Sequence, residues 1–230
     1  MTTHVLLTGG TRGIGAAIAR RLAREDVRLV ATGSADGDLA DPATPARLWA
    51  SAQARLDGRI DVLVNNAGVF EAAPIDLPDA EWSARWARTL QVNLVASAEL
   101  CRLAVAHFLA RGAGGRIVNV ASRAAHRGDG PDHWHYAASK GGMLAMTRTI
   151  ARGYARQGVL AFAVCPGFTV TGPAEDYLAS RGGERLLADI PLGRVAEPEE
   201  VAEVAVFAAL SAPPSMTGAT LDVNGASYVR

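Results

Sequence analysis

His4-Val5-Leu6-Leu7-Thr8-Gly9-Gly10-Thr11-Arg12-Gly13-Ile14-Gly15 is the stretch whose reading decides the fold. The short run from His4 to Thr8 is almost wholly apolar, which suits a strand covered on both faces. From Gly13 to Glu25 the period changes. Ile14, Ala17, Ile18 and Leu22 share one helical face, and Arg20, Arg21 and Arg24 the other. The glycines therefore lie between a strand and a helix N-terminus. There, free N–H groups and the helix dipole favour a phosphate, and residues without side chains let the backbone approach it. The spacing is G-x-x-x-G-x-G rather than G-x-G-x-x-G. Glycines alone would also serve a tight turn, so the strand-before, helix-after context carries the reading of a dinucleotide loop.

Outward from this loop, Val27 to Thr32 reads as a second buried strand. An acidic residue near the end of such a strand binds a ribose 2′-OH, whereas a basic corner accepts a 2′-phosphate. Here the strand ends in Thr32-Gly33-Ser34, with no carboxylate, and Arg12 reaches the same corner. The pattern favours NADP(H), and the nearby Asp36 keeps NAD(H) open. Asp38-Leu39-Ala40-Asp41-Pro42 reads as a short strand and then a helix start. A parallel crossover needs a dozen residues or more, so the normal crossover helix before it is missing. Residues 43–57 read as a helix with Leu48, Trp49, Ala52 and Leu56 inward. Ile60 to Val64 is a continuous apolar strand ending in Asn65-Asn66-Ala67-Gly68. Polar groups at the carboxyl end of a strand in an open α/β sheet are where ligands bind.

The later chain repeats the alternation. Asp79 starts a long helix to about Ala110, with Asn93 inside it; a mid-helix Asn by itself reads as a solvated or satisfied residue. Residues 116–121 form a strand with Ser122 just past its end, where a lone Ser reads as a turn former or cap. Residues 123–135 are a polar loop. Its His126, His133 and His135 are irregularly spaced, so no metal site is expected. A helix from Tyr136 to about Gln157, a strand from Val159 to Cys165 closed by Pro166-Gly167, a helix from Pro198 to about Leu210 and a strand at 220–223 complete the chain. Residues 168–192 have little regular pattern and read as a lid or substrate loop. Residues 1–230 thus read as one α/β domain, a doubly wound parallel sheet with helices on both faces.

Composition narrows the function classes. Acids and bases balance at 23 each, so no nucleic-acid or anionic membrane partner is implied. No apolar run approaches the roughly 20 residues of a spanning helix, and no signal peptide opens the chain, which suggests a cytoplasmic protein. Cys101 and Cys165 are isolated and read as buried thiols. Lys140 is the only lysine among 23 basic residues, and it follows Tyr136 by four. On a helix those two side chains share a face. A nearby cation favours the phenolate and draws the phenol toward neutral pH, which suits a general acid/base. An exposed surface pair is the other reading of the same spacing.

Taken together, these motifs resemble the short-chain dehydrogenase/reductase family along the whole chain. Thr8–Gly15 is similar to its T-G-x-x-x-G-x-G loop, and Asn65–Gly68 to its N-N-A-G. Asn93, Ser122, Tyr136 and Lys140 match its catalytic tetrad in order. Pro166-Gly167 with Thr171 matches its P-G-x-x-x-T motif. The resemblance implies a Rossmann-type sheet of about seven strands, a nicotinamide cofactor, and a homotetramer or homodimer packed through the two long helices. It implies that Tyr136 exchanges the proton, Ser122 holds the substrate oxygen, Lys140 acts on phenol and nicotinamide ribose, and Asn93 anchors a water. It implies cofactor contacts from Thr8, Gly9, Thr11, Arg12, Gly13, Ile14, Gly15, Ser34, Asp38, Leu39, Asn66, Ala67, Gly68, Pro166, Gly167, Val170 and Thr171, besides Tyr136 and Lys140. No metal is required, because the cofactor supplies the hydride. His133, Trp134, His135 and Phe168 are expected around a small carbonyl or alcohol substrate, with Phe70 and Tyr177 further candidates. Two departures from the family stand out: the shortened crossover after the second strand, and a spacing of fourteen between Ser122 and Tyr136, one more than the family's. The general look, including Pro191-Leu192-Gly193-Arg194, is similar to the branch of 3-oxoacyl-carrier-protein reductases. The expected activity is NADP(H)-linked carbonyl reduction. The alternatives are an NAD-dependent alcohol or dihydrodiol dehydrogenase, or a non-catalytic nicotinamide-binding regulator.

Overall fold

Strands β1 (Thr3–Leu7), β2 (Val27–Ala31), β3 (Val62–Asn65), β4 (Gly115–Val120), β5 (Val159–Pro166) and β6 (Thr220–Val223) form one sheet. Its order is β2-β1-β3-β4-β5-β6, and every pairing is parallel. The structure, a computed structural model, describes residues 2–170 and 183–230. Between the strands run α1 (Gly13–Leu22), α2 (Thr44–Arg55), α3 (Asp79–Leu90), α4 (Ala96–Arg111), α5 (Ala124–Arg127), α6 (Trp134–Tyr154), α7 (Glu184–Ala188) and α8 (Pro198–Val206).

Alternation along the strands builds two cores. Val5, Leu7, Val62, Val64 and Val118 pack with Ile18 and Leu22 of α1 and Val201 and Ala205 of α8. Leu6, Leu63 and Ile117 face the other way, onto Trp49 of α2 and Leu100, Ala104 and Phe108 of α4. A strand such as Val62-Leu63-Val64 is buried on both faces, which is why its sequence is apolar without a break.

The described residues contain six strands, not seven. The strand expected at Asp38–Asp41 is instead a succession of turns. Asp36 accepts a hydrogen bond from the Gly33 amide (2.8 Å), Asp38 from Ala40 (2.9 Å) and Asp41 from Ala43 (2.9 Å). Asp side chains compete with a strand ladder in this way, by offering amides a local acceptor. β2 is therefore the sheet edge, and the chain passes by turns directly into α2.

The long helix also differs from expectation. A π turn, Gln91–Val95, lies between α3 and α4, and the helical run spans Asp79–Arg111. By length and apolarity this run would suffice to cross a bilayer, although no single uninterrupted apolar segment does; half of its apolar window is buried inside the fold. π turns insert an extra residue and re-aim side chains. Here Asn93 is wholly buried.

Candidate active site

The chain leaves β1 through α1 toward β2 on one side, while β3 flanks β1 on the other. At such a switch point the connections diverge and leave a crevice at the carboxyl ends of the strands. A cleft of about 680 Å³ lies there. The glycine loop forms one end, and Ser122, Tyr136 and Lys140 the other.

The glycine loop packs closely on the end of β3. Thr8 Oγ1 accepts from the amides of Asn66 (3.1 Å) and Ala67 (3.2 Å). Asn66 Nδ2 donates to the carbonyls of Thr8 (3.2 Å) and Gly9 (2.9 Å). Gly9 has φ +64°, and a Cβ on it would lie 2.8 Å from Ala67 Cα. A Cβ on Gly15 would lie 1.9 Å from the Gly9 carbonyl oxygen. α1 begins with no side-chain cap and no acid in its first turn. Its leading amides are left for an anion.

At the other end Lys140 is 4% exposed and donates to the Val120 carbonyl at 2.9 Å. Burial pulls its ammonium down from 10.5 to about 8. Lys140 Nζ lies 5.9 Å from the centre of the Tyr136 ring, so the i,i+4 pair is not a surface pair. Phe70 meets that ring edge-on at 4.7 Å. Ser122 is buried, and its Oγ accepts from the Ala124 amide at 3.1 Å. Pairing of the β4 end with β5 continues past Ser122, through the Ala121 amide to Val164 O (2.7 Å) and the Arg123 amide to Pro166 O (2.9 Å). Asn93 lies behind the cleft wall. Its Oδ1 accepts from the Val69 amide (2.8 Å), and its Nδ2 donates to Val69 O (3.0 Å) and Ser139 Oγ (3.2 Å). It thereby ties the segment after β3 to the first turns of α6.

The comparisons with known proteins agree with this geometry. A family model described as Enoyl-(Acyl carrier protein) reductase matches residues 33–226. Acetoacetyl-CoA reductase of Rhizobium meliloti (strain 1021) is 32% identical, over 99% of each chain. 3-Oxoacyl-[acyl-carrier-protein] reductase of Vibrio cholerae serotype O1 is 31% identical, over 97% of this chain and 96% of its own. D-threitol dehydrogenase of Mycolicibacterium smegmatis is 33% identical, over 98% and 92%. The chain belongs to the short-chain dehydrogenase/reductase family. Within it the chain is an NAD(P)-dependent, hydride-transferring oxidoreductase of the branch that includes the 3-oxoacyl-carrier-protein reductases.

The residues fit the nicotinamide cofactor that short-chain dehydrogenases/reductases use. The cradle at Gly9 and Gly15 has no room for side chains, and the uncapped α1 faces it. Of the predicted cofactor contacts that are described, all line the cleft except Val170. Val170 is buried with Leu186, Ile190 and Val195, beneath the wall. Thr171 lies outside the described residues, as do Tyr177 and the rest of 171–182 within the predicted substrate segment.

The expected substrate contacts divide between the cleft and its surroundings. Phe168 lines the cleft; His133, Trp134 and His135 do not. His133 is stacked flat on Phe70 (4.1 Å, 6°), Trp134 points to solvent at 54% exposure, and His135 is buried against Trp86. These residues open α6, where successive side chains diverge by about 100°, so adjacency to Tyr136 does not bring them to its face. Phe70 does line the cleft. Sequence reasoning missed Glu71, Arg88, Arg123 and Asp129 on the wall. The readable signals were slight: Arg123 follows Ser122, and Arg88 precedes Asn93 on the same helical run.

The three loop histidines end in three separate ring contacts, His126 stacking on Tyr228 at 5.1 Å. His126, Cys165 and Asp222 do gather, their ligand-type atoms within 4.8 Å of one another, but Asp222 is already paired with Arg230 (2.9 Å). Cys101 and Cys165 are both free and buried, and burial pushes each thiol up to about 12.

Proposed function

We propose that this enzyme is an NADP(H)-preferring reductase of a ketone, 3-oxoacyl thioester or quinone-like carbonyl, with Tyr136 as the general acid/base. The observation that carries the reading is one cleft that has the glycine cradle at one end and Ser122, Tyr136 and Lys140 on the wall at the other. The bound nicotinamide supplies the hydride in reduction and accepts it in oxidation. The Tyr136 hydroxyl gives its proton to the substrate oxygen in reduction, and the phenolate takes it back in oxidation. Ser122 Oγ, held by the Ala124 amide, keeps its own proton to donate to that same oxygen. Lys140 is anchored on Val120 and has further N–H donors for the nicotinamide ribose. Its charge keeps the phenol acidic. Asn93 positions the Val69 segment against α6 and would anchor a water on the path from Lys140.

NADP(H) is favoured because Arg12 and Ser34 line the adenosine end, while the Asp36 carboxylate is turned onto its own Gly33 amide. Asp38, Leu39, Asn66 and Gly68 line the cleft where they would hold the adenosine. Arg88 reaches over from α3 to Glu71 (3.3 Å) and Asp38 (3.8 Å), closing the rim that the shortened crossover leaves open. NAD-dependent alcohol oxidation is the second reading, and the likeness to D-threitol dehydrogenase favours it. Val95 at the end of the π turn, Leu109 on α4 and Tyr154 on α6 are exposed, which suits assembly through the long helices into a homotetramer or homodimer. The three relatives named above are bacterial enzymes named for acetoacetyl-CoA, 3-oxoacyl-[acyl-carrier-protein] and D-threitol, which suits a cytoplasmic setting.

Fluorescence titration with NADPH and NADH tests the cofactor reading. Tighter NADPH is expected, and equal affinity or tighter NADH would overturn the preference. Over a carbonyl and alcohol panel, Tyr136→Phe should lose nearly all turnover while binding cofactor as wild type does. Wild-type turnover by Tyr136→Phe would refute the proton-transfer role.

A further inference from the structure

The wall beside Ser122 contains a buried cation that the mechanism above does not use. Arg123 is 8% exposed and lines the cleft together with Ser122, Phe168 and Asp129. The face of its guanidinium lies over the Phe168 ring at 4.3 Å. Its backbone is pinned by the hydrogen bond from its amide to Pro166 O at 2.9 Å. A guanidinium carries five N–H donors. Among the described residues, the side chain of Arg123 makes one hydrogen bond, a long one of 3.3 Å to Asp189 Oδ2. That same oxygen is held more closely by Arg127, at 2.7 Å, and Arg127 also donates to Ser227 O at 2.9 Å. Arg127 is thus the more closely held of the two, and Arg123 is the junior partner of the shared carboxylate.

A charge buried this deeply is costly unless it is paired and hydrogen-bonded. Net charge is not the attraction here, because Arg123 and Arg127 face Asp189 and Asp129, and Asp129 spends an oxygen on the Gly130 amide (2.8 Å). What is unspent is a set of donors in a planar fork. A carboxylate matches that fork with two parallel N–H···O bonds, and a ketone or hydroxyl oxygen does not. The fork lines the same cleft as Ser122 and Tyr136, so an anion on it shares that cleft with the reacting carbon.

We propose that Arg123 forms a carboxylate subsite at the substrate end of the cleft, and that the enzyme acts on carbonyl compounds bearing a carboxylate close to the reducible carbon. This rests on the reading above that Ser122 and Tyr136 mark the reacting end. Phe168 holds the guanidinium plane, and Asp189 occupies the subsite in part until an anion replaces it.

The test is calorimetric titration of malonate and of its neutral counterpart malonamide, into the protein alone and into the protein saturated with NADP+. Malonate should bind at least tenfold more tightly than malonamide. Arg123→Met should remove that preference. Asp189→Asn alters an exposed acid rather than the core; it should tighten malonate severalfold by freeing the fork. With NADPH, 3-oxobutanoate should exceed its methyl ester in kcat/KM by a similar factor in wild type, and not in Arg123→Met. Equal binding of malonate and malonamide by wild type overturns the proposal, as does unchanged malonate affinity in both variants. A wild-type protein that binds malonate but no nicotinamide cofactor would instead overturn the cofactor reading and leave the anion site standing.

Discussion

Lys140 should make the fold less stable near neutral pH and recover that loss in alkali. Its ammonium is buried, and burial lowers it from 10.5 to about 8. In the unfolded chain it returns to 10.5. The sign follows from proton counts. Below pH 8 both states are protonated and the folded state bears the full penalty. Between 8 and 10.5 the unfolded state holds more protons than the folded one, so stability rises with pH. Above 10.5 neither is charged and the penalty is gone. The full penalty is about 3 kcal/mol at about 1.4 kcal/mol per tenfold change in protonation, and most of it is recovered between roughly pH 7 and 10. The measurement belongs in a Tyr136→Phe background, so that the neighbouring phenol contributes nothing to the difference. Urea unfolding of Tyr136→Phe and of Tyr136→Phe/Lys140→Met should be compared across that interval. Loss of the hydrogen bond to Val120 O shifts the variant by an offset that hardly depends on pH while the lysine is charged. The lysine-containing protein should gain on its partner by roughly 2–3 kcal/mol as pH rises. A flat difference, or one that falls, would refute the burial argument and with it the picture of a lysine kept near its titration point beside the tyrosine.

Gly15→Ala should abolish tight cofactor binding, because its Cβ would lie 1.9 Å from Gly9 O and 2.4 Å from Asn66 Nδ2. It should also destabilise by roughly 1–3 kcal/mol in thermal melts, and an unchanged NADPH affinity would count against the cradle. Asn93→Ala removes both partners of the Val69 backbone, at a cost of about 1–3 kcal/mol. Its specific signature is faster hydrogen exchange at the Val69 amide, and unchanged protection there would show that another group holds that segment. Arg88→Ala should raise KM for NADPH severalfold with kcat nearly constant; a fall in kcat alone would place Arg88 outside the adenosine rim.

Much of this molecule was legible in one dimension because the deciding interactions are local. The period change at Gly13 marks the strand-to-helix junction. The four-residue spacing of Tyr136 and Lys140 puts them on one helical face whatever surrounds them. The polar run Asn65–Gly68 ends a strand whose apolar residues require cover on both sides. The tertiary structure decided what depends on partners distant in sequence. Asn93 by itself read as a solvated or satisfied helix residue and was singled out only by the family resemblance; its contacts with Val69 and Ser139 exist only in the folded chain. The expected third strand failed because Asp38 holds its Ala40 amide, and Asp36 and Asp41 the flanking Gly33 and Ala43 amides, in turns, a competition that apolar patterning does not register. Among the described residues, Arg123 lines the cleft from just past the end of β4, while His133, Trp134 and His135 point to Phe70, solvent and Trp86. Periodicity specifies which side of an element is buried. Which buried groups share a cleft, and which donors remain unspent there, is set by contacts such as Arg123 with Phe168 and Asp189, which exist only once the sheet has brought distant elements together.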